Sequence, residues 1–457
     1  MGACAVIDIG KTHQKVLAID GAGRCLSSER VAIAPLAGPP YPHLDAEAVW
    51  SFVLRALARL ARDVAVDALV VSAYGSTAAL VDDTGLVLPI ADYEHEPPAD
   101  LVAGYAAAAP PFAEAFAPTN PAGLTLGRQL YWLARAYPEA VARTRHLLLH
   151  PQYWAWRLSG VAAAEITSLG AQTHLWAPLA GRLTDLAVAE GWADRLPPIR
   201  RAWDALGPIT PQVAAITGLP ADTPVLCGIH DSNANYLRYR QGLAQPVTVM
   251  STGTWLITFN PTGRPADLDP NRDTNTNTDA FGDPVCCSRF MLGREHALAG
   301  GTRQALTPAD IAGVVSAGAM ALPSFTDTGG PVPATGGQGR MVGPPIDDPR
   351  GVAARATLYA ALMSAEALRA VSAQPPIVID GGFADAPLYA ALIAALWPDA
   401  TVHVSTEPDG TAIGASLLWD WGQRTIPQPL LRRVSPLGVT GLDAYAARWR
   451  DMIRVRR

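Results

Sequence analysis

The sequence predicts an α/β protein assembled from two similar halves, and three observations carry that expectation. A strand, glycine turn, strand plan occurs twice, in AVIDIGKTHQKVLAID (Ala5 to Asp20) and again in QPVTVMSTGTWLITFN (Gln245 to Asn260). Strand-like and helix-like patterns alternate between and beyond these two stretches. At 457 residues the chain is too long for one compact core and calls for two domains of roughly 200 residues or more.

In the first turn, Gly10-Lys11-Thr12 reads at first like the end of a Walker phosphate loop. That loop needs a further glycine where this chain has Ala5, and a helix where it has the β-rich Val16, Leu17 and Ile19. The segment is therefore a hairpin. Gly10 admits close approach of an anion, Lys11 and Thr12 can donate to it, and Asp8 can hold a hydrated Mg2+ through water. An ordinary hairpin with a polar turn explains the same residues.

Val49, Phe52, Val53, Leu57 and Leu60 have helical spacing between Ala46 and Val64, and DALVVSAYG (Asp67 to Gly75) follows as a buried strand with a glycine turn. GRQLYWLARAYPEAV and PQYWAWRLSG read as helices, with Gly160 as a stop and the Trp and Tyr residues as core. DTPVLCGIHDSNANYLRYRQGLA is a strand into Gly228, a sharp turn at His230-Asp231 and a helix. Punctuation at Gly242 to Pro246 puts the domain boundary there, giving halves 1–243 and 244–457. Thr326 to Pro349, rich in Gly and Pro, reads as a long loop. PPIVIDGGFADAPLYAALIAALW gives a strand, the pair Gly381-Gly382 and a helix, and TVHVSTEPDGTAIGASLLWDW gives a further strand and a small-residue helix from Gly410.

Composition excludes several classes. Although 49% of residues are hydrophobic, no run approaches the roughly 20 apolar residues of a membrane span. Asp8 and Lys11 interrupt the apolar start, so a signal peptide is not expected and a cytoplasmic location is. Cys4, Cys25, Cys227, Cys286 and Cys287 show neither a CxxC pair nor zinc spacing and are expected as buried thiols. The net charge of −6 and the lack of a basic run argue against nucleic acid. Arg448, Arg450, Arg454, Arg456 and Arg457 are expected on a solvated terminal helix.

In this order, the pieces resemble the FGGY carbohydrate kinase family over essentially the whole length. The carriers are Asp8-Ile9-Gly10-Lys11-Thr12, Gly228-Ile229-His230-Asp231, Ser251-Thr252-Gly253-Thr254-Trp255 and Gly381-Gly382. The resemblance implies a duplicated actin-like, RNase H-like fold with a central cleft, and phosphoryl transfer from ATP with Mg2+ to a small-molecule sugar. His230-Asp231-Ser232 and TNTNTDAFG look like the kinases of 6-deoxyketoses, rhamnulokinase and fuculokinase, which implies L-rhamnulose or L-fuculose as substrate. Xylulose, ribulose and glycerol are the alternatives. The family's usual Asn of the adenosine motif is replaced by Ala386, beside Asp385, which implies a relaxed nucleotide preference, and DYEHEPP stands where many relatives have an Arg-rich segment.

Carried over residue by residue, the resemblance makes Asp231 the catalytic base and Asp8 the residue holding hydrated Mg2+. It sets Gly10, Lys11, Thr12, Thr252, Gly253 and Thr254 around the phosphates, with Gly381, Gly382 and Asp385 at the adenosine. Gly75, His230, Asp231 and Ser232 meet the sugar. By pattern alone Asp231 reads first as an N-cap of the helix it precedes, and His230, Tyr93 and Trp255 read first as structural residues. A homodimer is allowed, no membrane or nucleic-acid partner is expected, and the halves are expected to close about a hinge near Gly242. An actin- or Hsp70-like nucleotide-driven clamp and a sugar sensor without turnover are the competing readings, although no peptide-binding extension fits after Trp421.

Overall fold

A computed structural model describes residues 2–423 and 425–454. Its chain divides into two compact units: Met1–Gly242 with Thr276–Pro284 and Asp409–Gln428, and Leu243–Asn275 with Val285–Pro408 and Pro429–Arg457. A single cut between 243 and 244 therefore does not describe the division, because two later segments return to the first unit. The reason is packing. Ala280, Ala412, Ala415, Leu417 and Leu418 join Cys4, Val6, Leu17 and Ile19 in one apolar cluster.

In the first unit β1 (Ala3–Ile9) pairs antiparallel with β2 (Gln14–Asp20), which pairs antiparallel with β3 (Cys25–Val31). Helix α1 (Ala46–Asp63) leads to β4 (Val66–Ala73), parallel to β1. The sheet continues from β4 to the strands Pro224–Leu226 and Ala205–Pro208, and Ile229–His230 also pairs with β4. Strand β1 is apolar along nearly its whole length because both of its faces are covered. Ala3, Ala5, Ile7 and Ile9 pack with Val49, Phe52 and Leu57 of α1. Cys4 and Val6 face the opposite cluster, with Ala234 and Ala412. That alternation is the period of two expected of a strand. Asp45 caps α1 by accepting from Ala48 N–H at 3.0 Å.

The second unit repeats the plan. Strand Thr248–Thr252 pairs antiparallel with Leu256–Asn260, which pairs antiparallel with Pro284–Phe290. Strand Ile377–Gly381 lies parallel to Thr248–Thr252, and Val402–Ser405 lies parallel to Ile377–Gly381. Helix Pro349–Ala370, capped by Asp348, supplies the buried layer between them in sequence. The repeat expected from the two hairpins is thus present, one copy in each unit, as is the duplicated RNase H-like arrangement that the resemblance implies.

Some details depart from the sequence reading. Thr326 to Pro349 is not wholly loop: Arg340–Val342 pairs with Met320–Leu322. Its start is anchored by the buried Glu295, which accepts from Phe325 N–H at 3.0 Å, Thr326 N–H at 2.9 Å and Tyr359 Oη at 2.5 Å. Cys25 is exposed, whereas the other four cysteines are buried. The helix over 127–141 breaks into Leu126–Ala136 and Pro138–Ala142, as Pro138 requires. Arg448 and Arg454 are exposed on helix Leu442–Arg454 and Arg450 is half-buried, while Arg456 and Arg457 lie outside the described residues. Among the described residues no helix is long and apolar enough to cross a membrane.

The contact between helices Asp231–Gly242 and Gly410–Ser416 gives the first testable consequence. A Cβ on Gly414 would fall inside contact distance of the Ala234 carbonyl oxygen, a backbone atom with nowhere to go. Gly414→Ala is expected to cost about 3 kcal/mol by overpacking, read as a lower urea midpoint. An unchanged midpoint would mean that the helices part freely.

Candidate active site

The turn after β1 is closed by Gly10 N–H donating to His13 O at 3.0 Å and by Gln14 Nε2 donating to Gly10 O at 3.1 Å. A Cβ at Gly10 would lie 2.7 Å from His13 O, so the turn requires glycine. Thr12 is exposed on it. Hairpin register sets Lys15 directly opposite Asp8, with Ser72 of β4 on the other side. Lys15 Nζ donates to Asp409 Oδ1 at 2.6 Å, so the hairpin, the start of helix Gly410–Ser416 and Asp8 share one charged patch.

Burial raises the Asp8 carboxyl to about 7; Lys15 opposes the rise, and the carboxylates of Asp231 and Asp409 add to it. Two further acids thus bear on Asp8, with Lys15 opposing them. Among the described residues no group of three ligating side chains is ready to hold a bare ion. A hydrated Mg2+, bound through water and completed by phosphate oxygens, fits this donor set better than a fully dehydrated cation.

The sign of the pH effect follows. The Asp8 value is higher folded than unfolded, so its contribution is full below about pH 4 and is lost as pH rises to about 7. In metal-free buffer the melting temperature should fall across that window, and Asp8→Asn should flatten the fall. Added Mg2+ competes with the proton, so its stabilising shift should grow from about pH 6 to about pH 8. A Mg2+ shift that is independent of pH, or unaltered in Asp8→Asn, would detach Asp8 from the metal.

Asp231 stands where the strand Ile229–His230, paired with Ser72 and Ala73 of β4, becomes the helix Asp231–Gly242. Gly228 makes the preceding bend at φ +85, where a Cβ would lie 2.5 Å from Val71 O. Asp231 Oδ1 accepts from the adjacent Ser232 N–H at 2.5 Å and Ser232 Oγ at 3.2 Å. An N-cap accepts from the second or third helical N–H, so these contacts do not make Asp231 an ordinary cap. His230 Nε2 lies 3.3 Å from Asp231 Oδ1.

His230 is buried, and burial holds its imidazole below the usual value, hence neutral near pH 7. Its Nδ1 meets Asn233 Nδ2 at 3.1 Å, and its N–H donates to Thr167 Oγ1 at 3.1 Å. Thr167 Oγ1 in turn donates to Glu165 Oε2 at 2.6 Å. Burial pushes Glu165 up to about 7, against the hydrogen bonds it accepts from Thr167 and Ser168. A Cβ on Gly75 would sit 2.8 Å from His230 Nε2. Gly75, His230, Asp231 and Ser232 are therefore brought together.

In the second unit, Gly253 N–H donates to Trp255 O at 2.8 Å to form the turn. Gly253 and Thr254 are exposed, and a Cβ on Gly253 would meet nothing within 4 Å. Thr252 is buried and committed internally. Its Oγ1 donates to Asp380 O at 2.5 Å and accepts from Phe383 N–H at 3.0 Å, while its carbonyl accepts from Gly382 N–H at 2.8 Å. Gly381, at φ +86, leaves no room for a Cβ beside Thr252 O. The Gly253 turn and the Gly381-Gly382 turn are thus braced through Thr252, whose side chain acts as a strut rather than a free donor. Asp385 is exposed near the start of helix Pro387–Leu396.

Several neighbours of these residues escaped the sequence reading. Lys15 could have been found, since a hairpin turning at residues 10–13 pairs positions 8 and 15. Asp409, Thr167 and Glu165 carried no local signal. His296 and Phe383 meet edge-on at 5.5 Å beside the glycine pair. Lys11, expected as a phosphate donor, instead pairs with Asp92 and lies 4.4 Å from the Tyr93 ring centroid.

Comparison with known proteins identifies the family. Residues 117–237 match the N-terminal domain model of the FGGY family of carbohydrate kinases, and residues 244–427 match the model for carbohydrate kinase FGGY, C-terminal domain. A crystal structure of a carbohydrate kinase from Novosphingobium aromaticivorans is 36% identical, covers 99% of both chains and superposes with a TM-score of 0.88. L-xylulose/3-keto-L-gulonate kinase of Escherichia coli (strain K12) is 33% identical over 135 residues, 28% of this chain and 26% of that enzyme. L-fuculokinase of Salmonella typhi is 24% identical over 268 residues, 57% of this chain and 56% of that enzyme. The matched stretches thus span between a quarter and little more than half of these two curated relatives. With two family models in order along the chain, a relative alike over its full length, and the duplicated actin-like fold in hand, the chain belongs to the FGGY family of carbohydrate kinases.

Proposed function

We propose that the protein transfers the γ-phosphoryl group of ATP to a hydroxyl of a ketose. The observation that carries this reading is the carboxylate of Asp231, held beside a neutral His230 that itself lies against Gly75, with the Asp8 acid patch in the same unit. Phosphoryl transfer needs positioning, charge neutralisation and a group that takes the acceptor's proton. Asp231 takes that proton. His230, uncharged and fixed through Thr167, donates to or accepts from a sugar oxygen. Asp8 holds hydrated Mg2+, which supplies charge neutralisation at the phosphates. Gly10 and Thr12 offer backbone and hydroxyl donors to phosphate, as do Gly253 and Thr254, and Gly381, Gly382 and Asp385 serve the adenosine.

A 6-deoxyketohexose such as L-fuculose or L-rhamnulose is the first substrate reading, favoured by His230-Asp231-Ser232 and by the relative named L-fuculokinase. A ketopentose is the second, favoured by the relative named for L-xylulose. A cytoplasmic site of action goes with the use of ATP. Coupled measurement of ADP release against a panel of ketoses, polyols, aldoses and sugar acids tests the reading. Release that depends on a ketose is expected. Equal release with and without sugar would favour a nucleotide-driven clamp, and no release with any sugar would favour a sensor.

A further inference from the structure

Lys11 and Asp92 are 81 positions apart and joined by an ion pair, the lysine side chain 25% exposed and the aspartate 8%. Asp92 Oδ1 accepts from Lys11 Nζ and, at 3.0 Å, from Glu94 N–H. Both contacts use one oxygen, which leaves Oδ2 able to accept from a ligand hydroxyl. Lys11, spending one N–H on Asp92, keeps two to donate.

Aromatic side chains stand beside the pair. Tyr74 and Tyr93 meet edge-on at 5.6 Å, and the Tyr74 ring lies 4.3 Å from that of His150, whose Nδ1 is 3.2 Å from Tyr74 O. The loop bearing Asp92 and Tyr93 is tied down where Gly123 N–H donates to Tyr93 O at 2.8 Å. Gln129 Nε2 donates both to Gly123 O and to Ser76 O, the residue after Gly75. Arg128 clamps the end of the loop through Glu96 and Asn120 O. Asp92 and Asp231 both bear electrostatically on Tyr74 and Tyr93, helping to keep those phenols protonated. Lys11 thus lies against the Tyr93 ring, Tyr93 meets Tyr74, and Tyr74 precedes the Gly75 that lies against His230, the neighbour of Asp231, so the two tyrosines link the ion pair to Asp231.

We propose that Lys11 and Asp92 form the hydroxyl-reading end of the sugar site, a specificity-determining pair, and that Lys11 does not serve the triphosphate. This rests on the sugar-kinase reading above. The ligand chemistry is a neutral polyhydroxylated ketose, with adjacent hydroxyls that donate to Asp92 and accept from Lys11. A sugar acid is disfavoured, because its carboxylate would face the Asp92 and Asp231 carboxylates, with Lys11 already paired to Asp92.

The test uses the full chain and its best ketose. Lys11→Met and Asp92→Asn are each expected to raise the sugar KM by about tenfold or more, the scale of a lost charged hydrogen bond. The ATP KM and the calorimetric affinity for ADP should stay within about twofold of wild type, because the ion pair serves the other substrate. Lys11→Arg should recover most of the sugar affinity, and the corresponding sugar acid should be a poorer acceptor than the ketose. A Lys11→Met protein with a raised ATP KM and an unchanged sugar KM overturns the proposal, as does a wild type that prefers the sugar acid. Failure of the kinase reading itself would show separately, as a wild type without ketose-dependent turnover. In that event calorimetric ketose binding unaltered by either substitution would also count against the pair.

Discussion

Asp231→Asn is expected to fold, to keep both ligands and to lower ketose-dependent kcat by about a hundredfold to ten-thousandfold, the scale of a lost general base. The substitution is nearly isosteric, and the atoms that define the position are backbone ones: Gly228 at φ +85 and the pairing of Ile229 and His230 with β4. The hydrogen bonds accepted from Ser232 go to a single oxygen that an amide carbonyl can replace. What an amide cannot do is take the proton of the acceptor hydroxyl. Measured kcat, with ligand affinities from calorimetry, separates these contributions. A variant retaining more than about a tenth of wild-type kcat would leave Asp231 a structural residue and remove the base from the mechanism.

Gly253→Val should raise the ATP KM by about tenfold or more, through the loss of backbone donors to phosphate, while sugar affinity holds. The site allows a clean result, because a Cβ on Gly253 would meet no protein atom within 4 Å. The added side chain would occupy the open side of the turn that the phosphates need, and the β-branched residue costs the fold little there. Separate titrations with ADP and with the ketose measure it. The residues read as the sugar site, Gly75, His230, Asp231 and the Lys11–Asp92 pair, all belong to the other compact unit. Equal loss of both affinities would therefore point to misfolding and not to a phosphate contact.

Local signals were legible in the sequence, and long-range ones were not. The hairpin at Gly10 and its counterpart at Gly253 followed from β-branched strands around a glycine, a pattern that needs no information from elsewhere in the chain. Gly75 and His230 were readable as single residues, but their contact across 155 positions was not visible until the fold set Ile229–His230 beside β4. Lys11 shows the limit best. Its type and position suit a phosphate, yet its direction is decided by Asp92, which no spacing rule connects to it. Asp409, partner of Lys15 from 394 positions away, is hidden for the same reason. So is the return of Gly410–Ser416 to the first unit, since small residues in a helix announce close packing without naming the partner. Thr252 was readable as a turn residue, but only the neighbouring strand shows that its hydroxyl braces Asp380 and Phe383 instead of pointing outward.

The most direct measurement of the central claim is the fate of the γ-phosphorus. Phosphorus NMR of the protein with Mg2+, ATP and the best ketose should show the γ-phosphate signal replaced by a sugar phosphate monoester, in step with ADP, and Asp231→Asn should slow both together. Inorganic phosphate appearing at the same rate whether or not a ketose is present would contradict the account, since the group would then be passing to water and not to a sugar.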